Sequence, residues 1–509
     1  MKGLRLAIAV LLAGLGLGFA KSLPATAPPG AVLGIYTHNL AIKKVYFVDL
    51  QAELKRQRLT LWDLISDIAK SEGEDAKKLE QDVKPFVDLL TLDLFGEEGL
   101  IAVYPDGGLL AMARPSAAKR TVILNQVKKL LNKAKPQSGW MLERLAPEEL
   151  KDYPLLAGWK GNTLLLASPQ AFTRLTRGQG GLALPLSGDL VFFMDAKPLH
   201  PLLAGLGKKL PPELLQLFKT PLLFASSSTL EKTGIAGKTR IDFDTKADFD
   251  FASLFLASGE AWDPGEMPDG LGVATYYFPL PSLGAYLSRL AETFGANLDL
   301  DLSAFGNRLA LVTVGMSTNP VEAQQKPLGD LILMIETKDS VTAEVNVLSW
   351  LQLAAASATP EDKGGFAVKK VKIKGHAGKE IRWGLGQPVY LFDLGDRLAL
   401  ATSRTAAEAI FGPRLKNHPG YARYENFWPK GATMKNFSDQ RQTLKMTFAN
   451  LAASLPTAGD PKADAMLQDY MKRLSAFMNH FADKLGVSVG YAKPKGSALI
   501  GASWAEVRW

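Results

Sequence analysis

The acidic pairs Asp242-Phe243-Asp244 and Asp248-Phe249-Asp250 form the densest group of metal-ligating residue types in the chain. Side chains alternate between the two faces of a strand, so Asp242 and Asp244 share one face while Phe243 takes the other. A turn at Thr245-Lys246-Ala247 would gather four carboxylates, and hard oxygen donors of that kind suit calcium. No glycine separates the pairs, as the sharp turn of a helix-loop-helix calcium site needs, and alternating aspartates also keep an exposed strand soluble. The five histidines, His38, His200, His376, His418 and His480, lie far apart and never at the spacing that puts two imidazoles on one helix face for zinc.

Nucleophile and phosphate motifs are equally scarce. The chain has no Gly-x-Ser-x-Gly elbow, no Ser-x-x-Lys set with its partners and no Gly-x-x-x-x-Gly-Lys-Ser/Thr loop. The glycine cluster Gly178-Gln179-Gly180-Gly181 reads as a linker, because no strand leads into it and no capped helix follows. With no cysteine, thiolate nucleophiles, thiolate metal sites and disulfides are excluded. The sequence therefore assigns no catalytic, cofactor-binding or metal-ligating residue and no cofactor, and it leaves the ligand-binding residues open.

The elements that would position any site follow a pattern that occurs twice. Ala31–Tyr36 is answered by Leu271–Tyr277, each an apolar strand after a Pro- and Gly-containing turn. The segment Leu92–Val103 is answered by Leu302–Val312, each read as a helix end, a Phe-Gly turn (Phe95-Gly96, Phe305-Gly306) and a buried strand. Leu109–Arg114 matches Leu331–Glu336, and an amphipathic helix is expected after each, over Ser116–Asn132 and Ser340–Ala356. Gly161–Ser168 matches Gly395–Ser403, a turn and strand ending in a residue able to cap a helix. Weaker tails begin at Leu186 and Phe427, and a long helical insertion is expected over Lys43–Pro85. The pattern predicts an α+β fold: two homologous α/β units, each a mainly antiparallel sheet packed with long amphipathic helices. The expected organisation is a signal peptide over 1–20, a leader over 21–27, a first α+β repeat unit over 28–262, a linker over 263–267 and a second repeat unit over 268–509.

The order of these motifs resembles a family. The opening strand after Pro, the Phe-Gly strand, the Leu-rich strand running into Lys338-Asp339-Ser340, the Leu398–Ser403 strand and Lys416-Asn417-His418-Pro419-Gly420-Tyr421 are similar to a bacterial secreted family known only as domain of unknown function three-three-five-two. The likeness covers nearly all of the chain after the first twenty residues and is clearest in the second half. It implies export, a tandem architecture and no assigned activity, and it brings no catalytic residues. The first half departs from it in its charged insertion and in lacking a counterpart of Asn417-His418-Pro419.

Apolar stripes at helical spacing carry the functional promise. They are Leu283, Tyr286, Leu287, Leu290 and Phe294, and Leu467, Tyr470, Met471, Leu474, Phe477, Met478 and Phe481. Such faces pack on sheets. Where one instead borders a cleft, flexible methionines such as Met466, Met471 and Met478 suit an apolar ligand. The expectation at Met471 is core.

Two cations (Lys2, Arg5), an apolar run from Leu6 to Leu17 and small residues Gly18 and Ala20 form a secretory signal with cleavage after Ala20, so no transmembrane anchor is expected once it is removed. The formal charge of +8 is mild for 509 residues, and the Lys369–Lys374 block is not interleaved with aromatics, which argues against nucleic acid. A 47% hydrophobic content suffices for sizeable cores without disulfides. The functional expectation is an exported, non-enzymatic cell-envelope protein of the periplasm or beyond, binding a protein partner, a lipid or another apolar ligand. The alternative is a secreted hydrolase or metal-dependent enzyme with a site assembled from distant Asp, Ser and His residues.

Overall fold

The computed structural model describes residues 26–28, 30–60, 62–63, 65–67, 96–145, 154–177, 182–201, 220–245, 251–293, 301–315, 329–357, 366–383, 387–454 and 461–509. The chain divides into two compact units. The first comprises residues up to 210, 221–243 and Trp509; the second comprises 211–220 and 244–508.

The first unit contains β1 (Thr26–Ala27), β2 (Leu33–His38), β3 (Glu98–Val103), β4 (Leu109–Arg114), β5 (Lys135–Gln137), β6 (Trp140–Leu145), β7 (Leu155–Lys160), β8 (Thr163–Ala167), β9 (Leu182–Ala183), β10 (Leu190–Asp195), β11 (Pro221–Glu231) and β12 (Gly234–Phe243). Apart from the short β1–β9 pair, these strands form an antiparallel ladder in the order β12-β11-β10-β2-β3-β4-β8-β7-β6-β5.

The second unit contains β13 (Gly272–Tyr277), β14 (Phe305–Gly315), β15 (Asp330–Thr337), β16 (Phe366–Ile373), β17 (His376–Trp383), β18 (Val389–Asp393), β19 (Arg397–Ala401), β20 (Met434–Asp439), β21 (Leu485–Lys495) and β22 (Ala498–Val507). Its order is β22-β21-β20-β13-β14-β15-β19-β18-β17-β16, again antiparallel throughout. Strand for strand, this is the order of the first unit.

Local chemistry explains matching details. The β5–β6 and β16–β17 hairpins each turn through two residues with positive φ, Ser138-Gly139 (49° and 78°) and Lys374-Gly375 (47° and 87°). That is the tight turn whose twist suits a hairpin, with glycine where a side chain is least tolerated. Ser168 and Ser403 each accept a backbone N–H three residues on, from Ala171 and Ala406, and so start the helices Pro169–Thr176 and Arg404–Ile410 as the sequence predicts.

In the second unit the central strands β15, β18 and β19 are buried on both faces, and strand alternation sorts their side chains. Ile332, Met334, Tyr390, Phe392, Ala399 and Ala401 pack with the Arg404–Ile410 helix on one face. Leu309, Ile335, Val389, Leu391, Leu398 and Leu400 pack with the helices Leu280–Thr293 and Ser340–Ser357 on the other. Two-sided burial makes these strands continuous apolar runs. In the first unit, Leu100, Ala102, Leu110, Met112, Leu165, Ala167 and Phe193 form the corresponding core.

The expected α+β class with long helices is overturned. The chain is mostly antiparallel sheet, about 40% strand against about 33% helix, with twenty strands in the two ladders. The excess of strand comes largely from the hairpins β11–β12 and β21–β22, each strand ten or eleven residues long. Half-buried runs with Ser226-Ser227-Ser228 or Gly486, Gly490 and Gly501 carry a weak hydropathy signal, and antiparallel pairing supplies what propensity lacks. The helix expected over Ser116–Asn132 is shorter, Arg120–Leu130. Of the helical segment expected over Lys43–Pro85, the described part includes the helix Val48–Arg56, and residues 68–85 lie outside the described residues. Phe305 and Gly306 lie inside β14, not in a turn, whereas Phe95 lies outside the described residues.

Candidate functional site

Among the described residues, the sequence-predicted candidates do not converge. Asp242 on β12 is held by Arg240, whose Nε and Nη2 donate to its carboxylate at 2.6–3.0 Å. Asp244 uses its backbone N–H on the Thr220 carbonyl. Asp248 and Asp250 lie outside the described residues, as does Gly178–Gly181. Among the described residues, no three His, Asp or Glu side chains come together as a metal cluster. His38 contacts the Asn39 amide at 2.9 Å, His376 stacks on Phe411 at 3.9 Å, and His418 accepts the Gly420 N–H through Nδ1. His200 follows the first-unit 3-10 turn Lys197–Leu199, and His480 lies on the Pro461–Lys484 helix.

On that helix, Met471, Leu474, Phe477, Met478 and Phe481 are half-buried, so Met471 is at the margin of the core and not sealed within it. The Met466 side chain lies outside the described residues, as do the Leu290 side chain and Phe294. Tyr286 is buried on the Leu280–Thr293 helix.

A polar cluster in the second unit lies where the chain enters the sheet. Arg308 and Arg397 lie over the buried Trp262 ring, at 5.3 and 4.6 Å from its centre, an arrangement that attracts cations to the indole face. The Trp262 carbonyl accepts from Thr275 Oγ1 at 2.7 Å. Tyr421 donates its hydroxyl to Asp263, whose carboxylate also accepts the Gly265 N–H. Lys435, almost wholly buried, reaches Glu260 at 2.8 Å.

Electrostatics lock these groups. Burial opposes the charge on Glu336, but hydrogen bonds from Arg308 and from the Asn307 and Arg308 amides outweigh it and hold the carboxyl below its ordinary range. The Lys435 hydrogen bond holds Glu260 low. Burial, reinforced by Asp263, pushes the Tyr421 phenol far up. Burial and the Glu506 carboxylate push Tyr424 up to about 12. A carboxylate held ionised and a phenol held protonated exchange no proton near neutral pH, so this cluster is suited to clamping backbone and not to acid–base chemistry.

The surface feature that hydropathy missed is the helix Ser340–Ser357. The sequence suggests an amphipathic helix, yet Glu344 is its only charged residue. Ala343 and Val347 face the sheet and are buried, while Val341, Val345 and Leu353 are 72%, 56% and 62% exposed. Glu344 pairs with Lys379 on β17, tying the helix flank to the β16–β17 hairpin. Exposed Val368 lies on β16, opposite Ile381, on the sheet face that carries this helix. No periodicity marks the exposed side in advance, because apolar residues surround the helix; only its missing charge gives a signal.

No family model matches the chain, and no curated protein matches it. Among solved structures, crystal form I of TP0453 aligns over 47% of this chain and 75% of its own, at 10% identity and a TM-score of 0.20, a likeness that carries no argument. No described helix is long and apolar enough to cross a membrane.

Proposed function

We propose that the chain is an exported, non-enzymatic cell-envelope protein that binds its partner through the outer face of the Ser340–Ser357 helix. The observation that carries this reading is the exposure of Val341, Val345 and Leu353 on a helix whose opposite side is buried. Branched aliphatic side chains grouped in solvent mark an interaction surface more often than a solvated face. Export rests on the signal-like first twenty residues, and the family resemblance belongs to the same proposal. The shared strand order and hairpin turns support a tandem repeat of one sheet unit. The engagement of Glu336, Asp263, Tyr421 and Glu260 in holding backbone and neighbouring side chains supports a binding role over a catalytic one.

The test is binding of Nile red, an uncharged apolar dye, to the full mature chain and to Val341→Asp/Val345→Asp. Both residues are exposed, so the variant is expected to keep its circular dichroism and thermal midpoint while losing most of the dye fluorescence. Unchanged fluorescence would remove this face as the binding surface.

A further inference from the structure

We infer that the occupant of this face is the surface of an anionic lipid bilayer, an inference that rests on the helix face being a binding surface and adds its partner. The argument comes from the hairpin beside the helix. Among the described residues, strand β16 pairs only with β17 within the second-unit ladder and so forms its edge. Side chains alternate, so Val368, Lys370 and Lys372 share the face of Phe366 and Ile381, which pack toward the Ser340–Ser357 helix. Lys370 stands directly opposite Lys379 in the register, and Lys379 reaches Glu344 of that helix. The exposed aliphatic side chains and the hairpin cations therefore belong to one side of the unit.

Lys370 and Lys372 are exposed, and neither has a carboxylate partner among the described residues. Like charges directly opposite on adjacent strands are unfavourable, and of the Lys370–Lys379 opposition Lys379 is paired with Glu344. Guarding an edge strand against pairing needs charge, but not on the side that also exposes Val341, Val345 and Val368. Exposed aliphatic side chains beside the lysines Lys370 and Lys372 complement a surface with an apolar interior and anionic headgroups.

Composition favours a bilayer over a protein. Protein interfaces are anchored by Trp, Tyr and Arg and are depleted in Lys, whereas the exposed described side chains of this face are Val341, Val345, Leu353, Val368, Lys370 and Lys372, with the uncharged Thr342, Ser349 and Gln352 between them. Flexible ammonium groups need no fixed geometry on a fluid anionic surface, and each lysine there raises partition by on the order of fivefold.

The experiment is co-sedimentation of the full mature chain with phosphatidylcholine vesicles, with and without phosphatidylglycerol, at low and high salt. Binding is expected only with phosphatidylglycerol and is expected to weaken with salt. Lys370→Gln/Lys372→Gln is expected to lower partition by about thirtyfold, with circular dichroism unchanged, and Lys370→Arg/Lys372→Arg to restore it. Val345→Asp is expected to abolish it. As a control, Lys128→Gln/Lys129→Gln removes two exposed charges from the Arg120–Leu130 helix of the first unit. That variant is expected to stay within about twofold of the parent, since electrostatic attraction to a bilayer is local to the contacting surface. An equal loss in the control would overturn the inference by showing generic attraction. So would equal binding to uncharged vesicles, or none to anionic ones. If vesicles fail while Nile red still reports on Val341 and Val345, the binding face stands and its lipid partner falls; if the dye is also indifferent, both fall.

Discussion

Arg308 on β14 donates from Nε at 2.8 Å to Glu336 on β15, and at the same place in the first unit Glu98 on β3 stands opposite Arg114 on β4, with the charges exchanged. Both pairs close the fifth-to-sixth strand step of their ladder. The ion pair belongs to the position, and either arrangement of charge fills it. Glu336 does more than pair, because its other oxygen accepts the Asn307 and Arg308 amides at 2.9 and 3.1 Å.

Removing that carboxylate should cost the second unit about 1–3 kcal/mol, since Glu336→Gln weakens a charge-assisted hydrogen bond and leaves amides poorly served. Urea midpoints measure it. Arg308→Glu should be worse, and Arg308→Glu/Glu336→Arg should recover part of the loss, because the exchanged pair exists at Glu98 and Arg114. A double variant no more stable than Arg308→Glu would show that the pair itself contributes nothing.

The pH dependence follows from the same carboxyl. Its folded pKa lies below its ordinary 4.5, so its stabilisation is present above that value and is lost as pH falls through the folded pKa. Unfolding followed by tryptophan fluorescence should show a steeper acid loss for the parent than for Glu336→Gln.

Alkali should act through tyrosine. Tyr424 titrates at about 12 against an ordinary 10.0, so its neutral form contributes stability fully below pH 10, which is lost as pH rises through 12. An absorbance titration of tyrosinate should show a late step that Tyr424→Phe reduces. If every tyrosine titrates near 10 in the folded protein, the Tyr424–Glu506 hydrogen bond is not formed in solution.

Packing at the Pro461–Lys484 helix can be graded against the core. Met334 is 2% exposed within the second-unit core, so Met334→Ala should cost roughly 2–5 kcal/mol by leaving a cavity. Met471 is half-buried, and Met471→Ala should cost about 1 kcal/mol, since fewer buried methylenes are lost. Equal costs would place Met471 in a sealed core after all.

Protein recovered from the envelope of an exporting host should begin at Lys21. N-terminal sequencing that reads Met1 in that fraction would refute cleavage after Ala20.

Local chemistry was readable without the structure wherever it was determined by neighbours along the chain. The apolar runs Leu109–Arg114 and Leu331–Glu336 are strands, and Ser168 and Ser403 cap helices, because burial on both faces and an orphan N–H leave direct marks in residue type. The tertiary structure alone decided how far sheet outweighs helix, since β11–β12 and β21–β22 are half-exposed strands stabilised by partners across a ladder and not by their own hydropathy. It also decided that Glu98 meets Arg114 and Arg308 meets Glu336, because register joins residues that sequence separates. The candidate face was the least legible part. The Ser340–Ser357 helix carries apolar residues on every side, so only its seating in the core that holds Leu391 and Leu398 settles which side is buried and which is exposed.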